Sequence, residues 1–252
     1  MPQCLNFVVM NNIFIDNLSI GYGHQVIAEG LTARISGGQL TCLIGRNGLG
    51  KSTLLHTLAG SLSPMAGSVR LDIDGKTFDL SLCPRTTLSR LVAVVLTEKI
   101  DISNMTVGEV VAMGRMPYTD FFGTLSRNDR RIVTRALEAT GMAAFASRDF
   151  AMLSDGERQK VMIARALAQQ TPVVLLDEPT AFLDFPSKVE TMRLLADMAK
   201  SMGKIVLAST HDLGIALRMA GRIMTIDNGL RDVSREELRS EMDEKIKSPP
   251  LR

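Results

Sequence analysis

The sequence predicts an α/β fold: a largely parallel sheet with helices packed against it, a β-rich segment ahead of it and an all-helical insertion within it. Three observations carry that expectation. From residue 173 onward, short apolar runs alternate with segments of helical period, which implies parallel strands joined by helices. Before that, Ile13 and Ile15, Leu18 and Ile20, and Val69, Leu71 and Ile73 are each spaced two apart, the period of a half-buried strand. Between the two regions only the helical period appears: Val107, Val110, Val111 and Gly114 mark one face, and Ile132, Val133, Ala136 and Leu137 another.

The individual elements follow in order. Leu40–Ile44 is a short apolar run stopped by a glycine-rich turn, as expected of a parallel strand buried on both faces. Leu91–Leu96 has the same character. Val173–Leu176 and Ile205–Ala208 are further buried strands, and Ile223–Ile226 a last one before Asn228-Gly229. Val189, Met192, Ala196 and Ala199 mark one intervening helix, and Leu213, Ala216, Leu217 and Ala220 the next. The tail from Arg231 to Lys247 holds five basic and six acidic residues, the pattern of a solvated helix, with Ser234 and Glu237 spaced as a capping box.

Composition narrows the function classes. With 252 residues and a net charge of +2, the chain lacks the excess of a generally basic nucleic-acid binder. No apolar run approaches the roughly 18 residues of a membrane-spanning helix. The first residues lack the basic stretch of a secretion signal. Three cysteines, Cys4, Cys42 and Cys83, are too few and too scattered for a disulfide scaffold or a metal cluster. The expectation is a soluble chain of a reducing compartment.

Two constellations carry chemistry. Gly45-Arg46-Asn47-Gly48-Leu49-Gly50-Lys51-Ser52-Thr53 fits a phosphate loop, and it lies where one must, between the strand 40–44 and a helix-like run from Thr53 to Ala59. Its glycines let consecutive N–H groups point at phosphate oxygens, Lys51 adds a charge for the β- and γ-phosphates, and Ser52 offers a hydroxyl to Mg²⁺. This defines a nucleoside triphosphate site. The second is Asp177-Glu178 at the end of the strand 173–176. Carboxyl ends of parallel strands line the ligand crevice. Asp177 there is suited to hold Mg²⁺, and Glu178 to orient or deprotonate an attacking water.

Leu153-Ser154-Asp155-Gly156-Glu157 begins 24 residues before Asp177 and resembles the signature sequence of ABC-type ATPases. The resemblance extends over nearly the whole chain in family order. It implies a phosphate-loop NTPase core with an N-terminal β subdomain (1–97 and 166–252) and an inserted helical subdomain (98–165), together one ABC ATPase domain. It places Tyr22 against the adenine, Ala181-Phe182-Leu183-Asp184 at a dimer interface, and His211 as the switch histidine facing the γ-phosphate. Ser154 and the amides near Gly156, at a helix start, form an anion-binding surface that belongs to the partner's ATP. A second copy of the chain, packed head to tail, is therefore implied, with ATP closing the dimer and hydrolysis opening it.

Two departures from the family pattern stand out. Asp155 and Glu157 replace the usual glycine and glutamine. In the loop joining core to insertion, Thr97 or Glu98 stands where glutamine is usual, and Glu98 would meet Mg²⁺ with a full charge. Among the classes of this family, DNA-repair or chromosome ATPases carry long insertions that 252 residues leave no room for. Soluble assembly or translation factors usually need a second cassette. The size fits an importer subunit, and Met113-Gly114-Arg115-Met116-Pro117-Tyr118 resembles a stretch of the iron–siderophore, haem and cobalamin uptake group. That reading implies ATP and Mg²⁺, a separate membrane permease, indirectly a solute-binding protein, no nucleic acid, and residence at the cytoplasmic face of the cell membrane. Met105, Met113 and Met116 are expected either to line a permease groove between the Thr97–Glu98 loop and the insertion or to fill the insertion's own core.

Overall fold

The computed structural model describes residues 10–96, 102–227 and 229–247. It contains two sheets. The first is antiparallel, in the order β2–β1–β4–β5, with β1 Asn12–Tyr22, β2 Gln25–Ser36, β4 Ala66–Ile73 and β5 Lys76–Asp79. The second has the order β10–β9–β3–β8–β7–β6. In it β3 (Leu40–Ile44), β6 (Val92–Val95), β7 (Val173–Leu176), β8 (Ile205–Thr210) and β9 (Arg222–Thr225) run parallel, and β10 (Arg231–Asp232) pairs antiparallel at the edge.

The central strands are apolar throughout because both their faces are covered. Leu40, Cys42, Ile44, Val174, Leu176, Val206 and Ala208 face one core, shared with the insertion and with helices α6 (Phe185–Met202) and α7 (Leu213–Met219). Leu43, Val173, Leu175, Ile205 and Leu207 face the other, shared with helix α1 (Lys51–Leu58) and the antiparallel sheet. The period-2 reading of β1 changes parity between Ile15 and Leu18, and a bulge accounts for it. Pairing with both neighbours is irregular there, Asn17 takes φ 45°, and its N–H is held by Thr32 Oγ1 at 3.0 Å. Without the extra residue, Leu18 and Ile20 would face solvent.

The helical insertion comprises α3 (Val107–Ala112), a 3₁₀ helix (Met113–Tyr118), α4 (Arg127–Ala139) and the front of α5 (Asp155–Gln169). Thr106, Ser126 and Ser154 begin its three α-helices with reciprocal capping boxes to Glu109, Asp129 and Glu157. Helix α5 runs unbroken through positions 165 and 166, where the sequence reading divides insertion from core, so its last turn reaches the sheet. Gly114 lies in the 3₁₀ helix rather than in α3. A Cβ there would meet Arg165 O at 2.3 Å, so this glycine permits the backbone contact with α5.

The charged tail is less solvated than its composition implies. Helix α8 (Arg235–Lys247) buries Leu238 completely, and Arg235 donates to the carbonyls of Leu217 and Ala220 at the end of α7. Only half of its expected capping box forms: Ser234 Oγ accepts from Glu237 N–H at 3.0 Å, while the Glu237 carboxylate pairs with Arg231 at 2.7 Å.

Candidate active site

The glycine-rich turn lies between β3 and α1. Gly45, Gly48 and Gly50 take φ of 147°, 87° and 95°, values that side chains rarely tolerate. Gly50 also touches the antiparallel sheet: a Cβ would meet Ile27 Cγ2 at 2.9 Å. Lys51, the first residue of α1, is buried and lies back across the turn. Its Nζ donates to Gly45 O at 2.8 Å and Arg46 O at 3.0 Å. Burial lowers its pKa, while the neighbouring Glu178 and Asp177 carboxylates oppose that by favouring the charged form. Asn47 and the Ser52 side chain are exposed at the mouth of the loop, whereas Thr53 is buried.

Parallel register brings the acidic pair beside this loop. Asp177 and Glu178 follow β7, with Leu176 opposite Ala208 of β8, and β8 in turn pairs with β3 through Ile44 and Thr210. Asp177 is buried and accepts a 2.6 Å hydrogen bond from Ser209 Oγ. Glu178 takes φ 47°, unusual for a residue with a side chain, and its N–H donates to the same Ser209 Oγ at 2.9 Å. Its carboxylate lies 2.7 Å from His211 Nδ1, and the His211 ring is 61% exposed. The His211 ring is thus open to solvent and in contact with Glu178.

Tyr22, at the end of β1, is half exposed, as a ring available for stacking must be. Ser154 caps α5: its Oγ accepts from Glu157 N–H at 3.4 Å and donates to Glu157 Oε2 at 2.8 Å, and its own N–H donates to that carboxylate at 2.8 Å. These contacts hold the Glu157 carboxyl below the usual carboxylate range and give this departure from the family pattern a local role. A Cβ at Gly156 would meet Leu183 Cδ2 at 3.2 Å and Phe182 O at 3.3 Å, so the signature and the segment after Glu178 are packed together. Asp184 caps α6 through Ser187 N–H at 3.2 Å. One turn on, Lys188 reaches Asp212, next to His211, at 3.4 Å. Thr97 and Glu98 lie outside the described residues.

The residues present suit Mg²⁺. Ser52, in the first turn of α1, and Asp177, after β7, offer hard oxygen donors, and among the described residues no cluster of three or more His, Cys, Asp or Glu forms an all-protein cage. A cation that keeps its water and relies on substrate phosphates needs no such cage.

Ser209 was not foreseen as a functional residue. Its only sequence signal is a hydroxyl at the end of an otherwise apolar strand, two residues before His211.

A glycine loop on a helix start, a buried lysine and two carboxylates at the end of one parallel strand define a phosphate-loop nucleoside triphosphatase. The ABC transporter family model matches residues 28–181. The chain is 40% identical over 220 residues to the iron(3+)-hydroxamate import ATP-binding protein of Bacillus subtilis, spanning 87% of this chain and 80% of that one. In structure it is similar to an inward-facing transporter described as metal-chelate type, with TM-score 0.76 and 25% identity over 92% of this chain and 89% of that one. It is equally similar to a dimeric ATP-binding cassette in a post-hydrolysis state bound to ADP and Pi, with TM-score 0.76 and 25% identity over 88% and 98% of the two chains. The chain belongs to the ABC transporter family, as an ATP-binding subunit that hydrolyses ATP.

Proposed function

We propose that this chain powers uptake of an iron–siderophore, haem or cobalamin-type metal chelate through a separate permease, working as a head-to-tail dimer at the cytoplasmic face of the membrane. The observation that carries the catalytic part is the direct contact of Glu178 with His211 beside a buried Asp177 and Lys51. The names of its relatives support the substrate class. Among the described residues no helix is long and apolar enough to cross a membrane.

In this reading Tyr22 stacks on the adenine, and the amides of Gly45 to Thr53, Asn47 and Gly48 among them, cradle the phosphates. Lys51 leaves the carbonyls of Gly45 and Arg46 for the β- and γ-phosphates. Ser52 and Asp177, together with Glu98, would hold Mg²⁺, and the ion would supply charge neutralisation on the phosphate oxygens. Glu178 orients a water in line with the γ-phosphate and draws off its proton, and His211 holds Glu178 and faces the transferring group. Ser154 and Gly156 of one copy close over the nucleotide of the other. The exposed apolar side chains Met152, Phe182 and Phe185 flank Ser154 and Asp184 in sequence and fit a surface covered by a second copy.

A groove of about 570 Å³ lies between helix α2 (Arg85–Leu91), β6 and the insertion. Met113, Met116, Pro117 and Arg165 line it, and Met116 is 63% exposed. We assign the permease contact to this groove. Met105, by contrast, packs against the insertion's core.

The test is Glu178→Gln, assayed for ATPase turnover and for ATP-dependent dimerisation by size exclusion. The expected variant binds ATP, dimerises and turns over at least 100-fold more slowly, as loss of a general base implies. Turnover at the unmodified rate would overturn the assignment.

A further inference from the structure

Ser209 is the point where the two acidic residues are tied together. It is completely buried near the end of β8, and its single hydroxyl makes two hydrogen bonds, donating to Asp177 Oδ1 at 2.6 Å and accepting from Glu178 N–H at 2.9 Å. The strand phases explain the meeting. Asp177 continues the alternation of Val173 and Leu175, and Ser209 that of Ile205 and Leu207, all of which face the core shared with α1. Both side chains therefore lie on the face of the sheet that carries the phosphate loop.

The hydrogen-bond direction follows from what each partner has to offer. A backbone N–H can only donate, so an oxygen lone pair of the hydroxyl takes the Glu178 amide and the hydroxyl proton goes to the Asp177 carboxylate. The sheet ladder shows what that amide would otherwise lack. Asp177 N–H pairs toward β6 with Val95 O at 2.8 Å, and the next amide, Glu178, points the other way, toward β8. There the side-chain oxygen of Ser209 stands in for a strand carbonyl. It anchors Glu178 at φ 47°, a backbone shape that needs outside support in a residue with a side chain.

We propose that Ser209 is a positioning residue for hydrolysis: its hydroxyl orients the Asp177 carboxylate toward Mg²⁺ and fixes the backbone of Glu178 so that its side chain meets both His211 and the attacking water. The inference rests on the roles given above to Asp177 and Glu178. Hydrogen-bond partners behind a metal-associated carboxylate typically control about 10- to 100-fold in metal affinity or activity.

The experiment compares Ser209→Ala, Ser209→Thr and Ser209→Val in the full chain, with Glu178→Gln alongside. Thr and Val add the same bulk and differ in the hydroxyl, so their difference reports the hydrogen bonds rather than the packing. Three quantities are read: ATP affinity in EDTA, Mn²⁺ affinity of the ATP complex by electron paramagnetic resonance, and kcat. The expected result is unchanged metal-free ATP affinity in all variants. Ala and Val lose roughly 10-fold or more in Mn²⁺ affinity and kcat, and Thr retains most of both. If Ser209→Ala keeps Mn²⁺ affinity and kcat while Glu178→Gln is inactive, the Ser209 inference falls and the site assignment stands. If Thr and Val are equally impaired, the role is packing, and the inference is likewise overturned. Glu178→Gln turning over normally would remove the reading on which Ser209 depends.

Discussion

Replacing Arg115 by Met should uncouple the insertion from the rest of the fold. The guanidinium is buried with 5% of its side chain exposed, and the paired Asp129 side chain has 9%. Arg115 Nε donates to Asp129 Oδ1 at 2.8 Å, Nη1 donates to Ala168 O at 2.8 Å and to Gln170 Oε1 at 3.2 Å, and Cζ lies over the Tyr118 ring, 4.1 Å from its centre. One side chain thus joins the 3₁₀ helix to the start of α4 and the end of α5. Breaking a buried pair by removing one partner costs about 3–5 kcal/mol. Asp129 keeps its bonds from the Ser126 hydroxyl and N–H, which places the loss near the lower bound, about 3 kcal/mol. For a chain of this size that lowers Tm by about 6–12 °C. Urea unfolding followed by circular dichroism measures it, with Asp129→Asn and the double variant completing a cycle. The Asp129 carboxyl is held below its ordinary value, first by the Ser126 hydroxyl and then by Arg115. Its folded pKa being depressed, that stabilisation is present above the unfolded pKa near 4 and is lost as pH falls through the folded value, so wild type and variant should converge in acid. A loss below about 1 kcal/mol, or no coupling in the cycle, would refute this account of the insertion's anchorage.

Gly156→Ala should cost only about 1 kcal/mol in stability, because the neighbours must give by a few tenths of an ångström. It should nevertheless weaken ATP-dependent dimerisation in the Glu178→Gln background, since the contact with Phe182 and Leu183 sets where Ser154 stands; an unchanged ATP requirement in size exclusion would argue against that. Lys204 is buried, with its Nζ on Thr171 O, and burial lowers its pKa from 10.5 to about 8. Between those values the unfolded chain binds more protons than the folded one, so stability rises with pH across that window. Wild type should therefore gain up to about 2–3 kcal/mol relative to Lys204→Met between pH 8 and 10.5 in urea melts, and parallel stability curves would contradict the burial of the charge.

The phosphate loop and the Asp177-Glu178 strand end were legible because each is a contiguous segment whose chemistry depends on its own backbone: glycines that permit the turn, and a buried strand that must stop at the ligand crevice. The apolar runs of β3, β7 and β8 were legible for the same reason, as two covered faces leave no position for a polar residue. The strands β2 and β5 carried little signal, since β2 exposes much of its length and β5 is four residues long with no residue fully buried. The tail helix was underestimated because the fully buried Leu238 is lost among the nine charged residues of Arg235–Lys247.

By itself, then, the sequence determined the fold class, the family and the segments proposed to bind the nucleotide, because local periodicity and contiguous motifs encode them. Tertiary structure decided which distant side chains meet. Ser209 meets Asp177 across 32 residues, His211 meets Glu178 across 33, and Arg115 reaches Gln170 across 55. None of these separations has a sequence period. They arise from the register of parallel strands and the packing of helices against them, and a one-residue slip of β8 against β7 would turn Ser209 away from the Asp177 carboxylate and the Glu178 N–H.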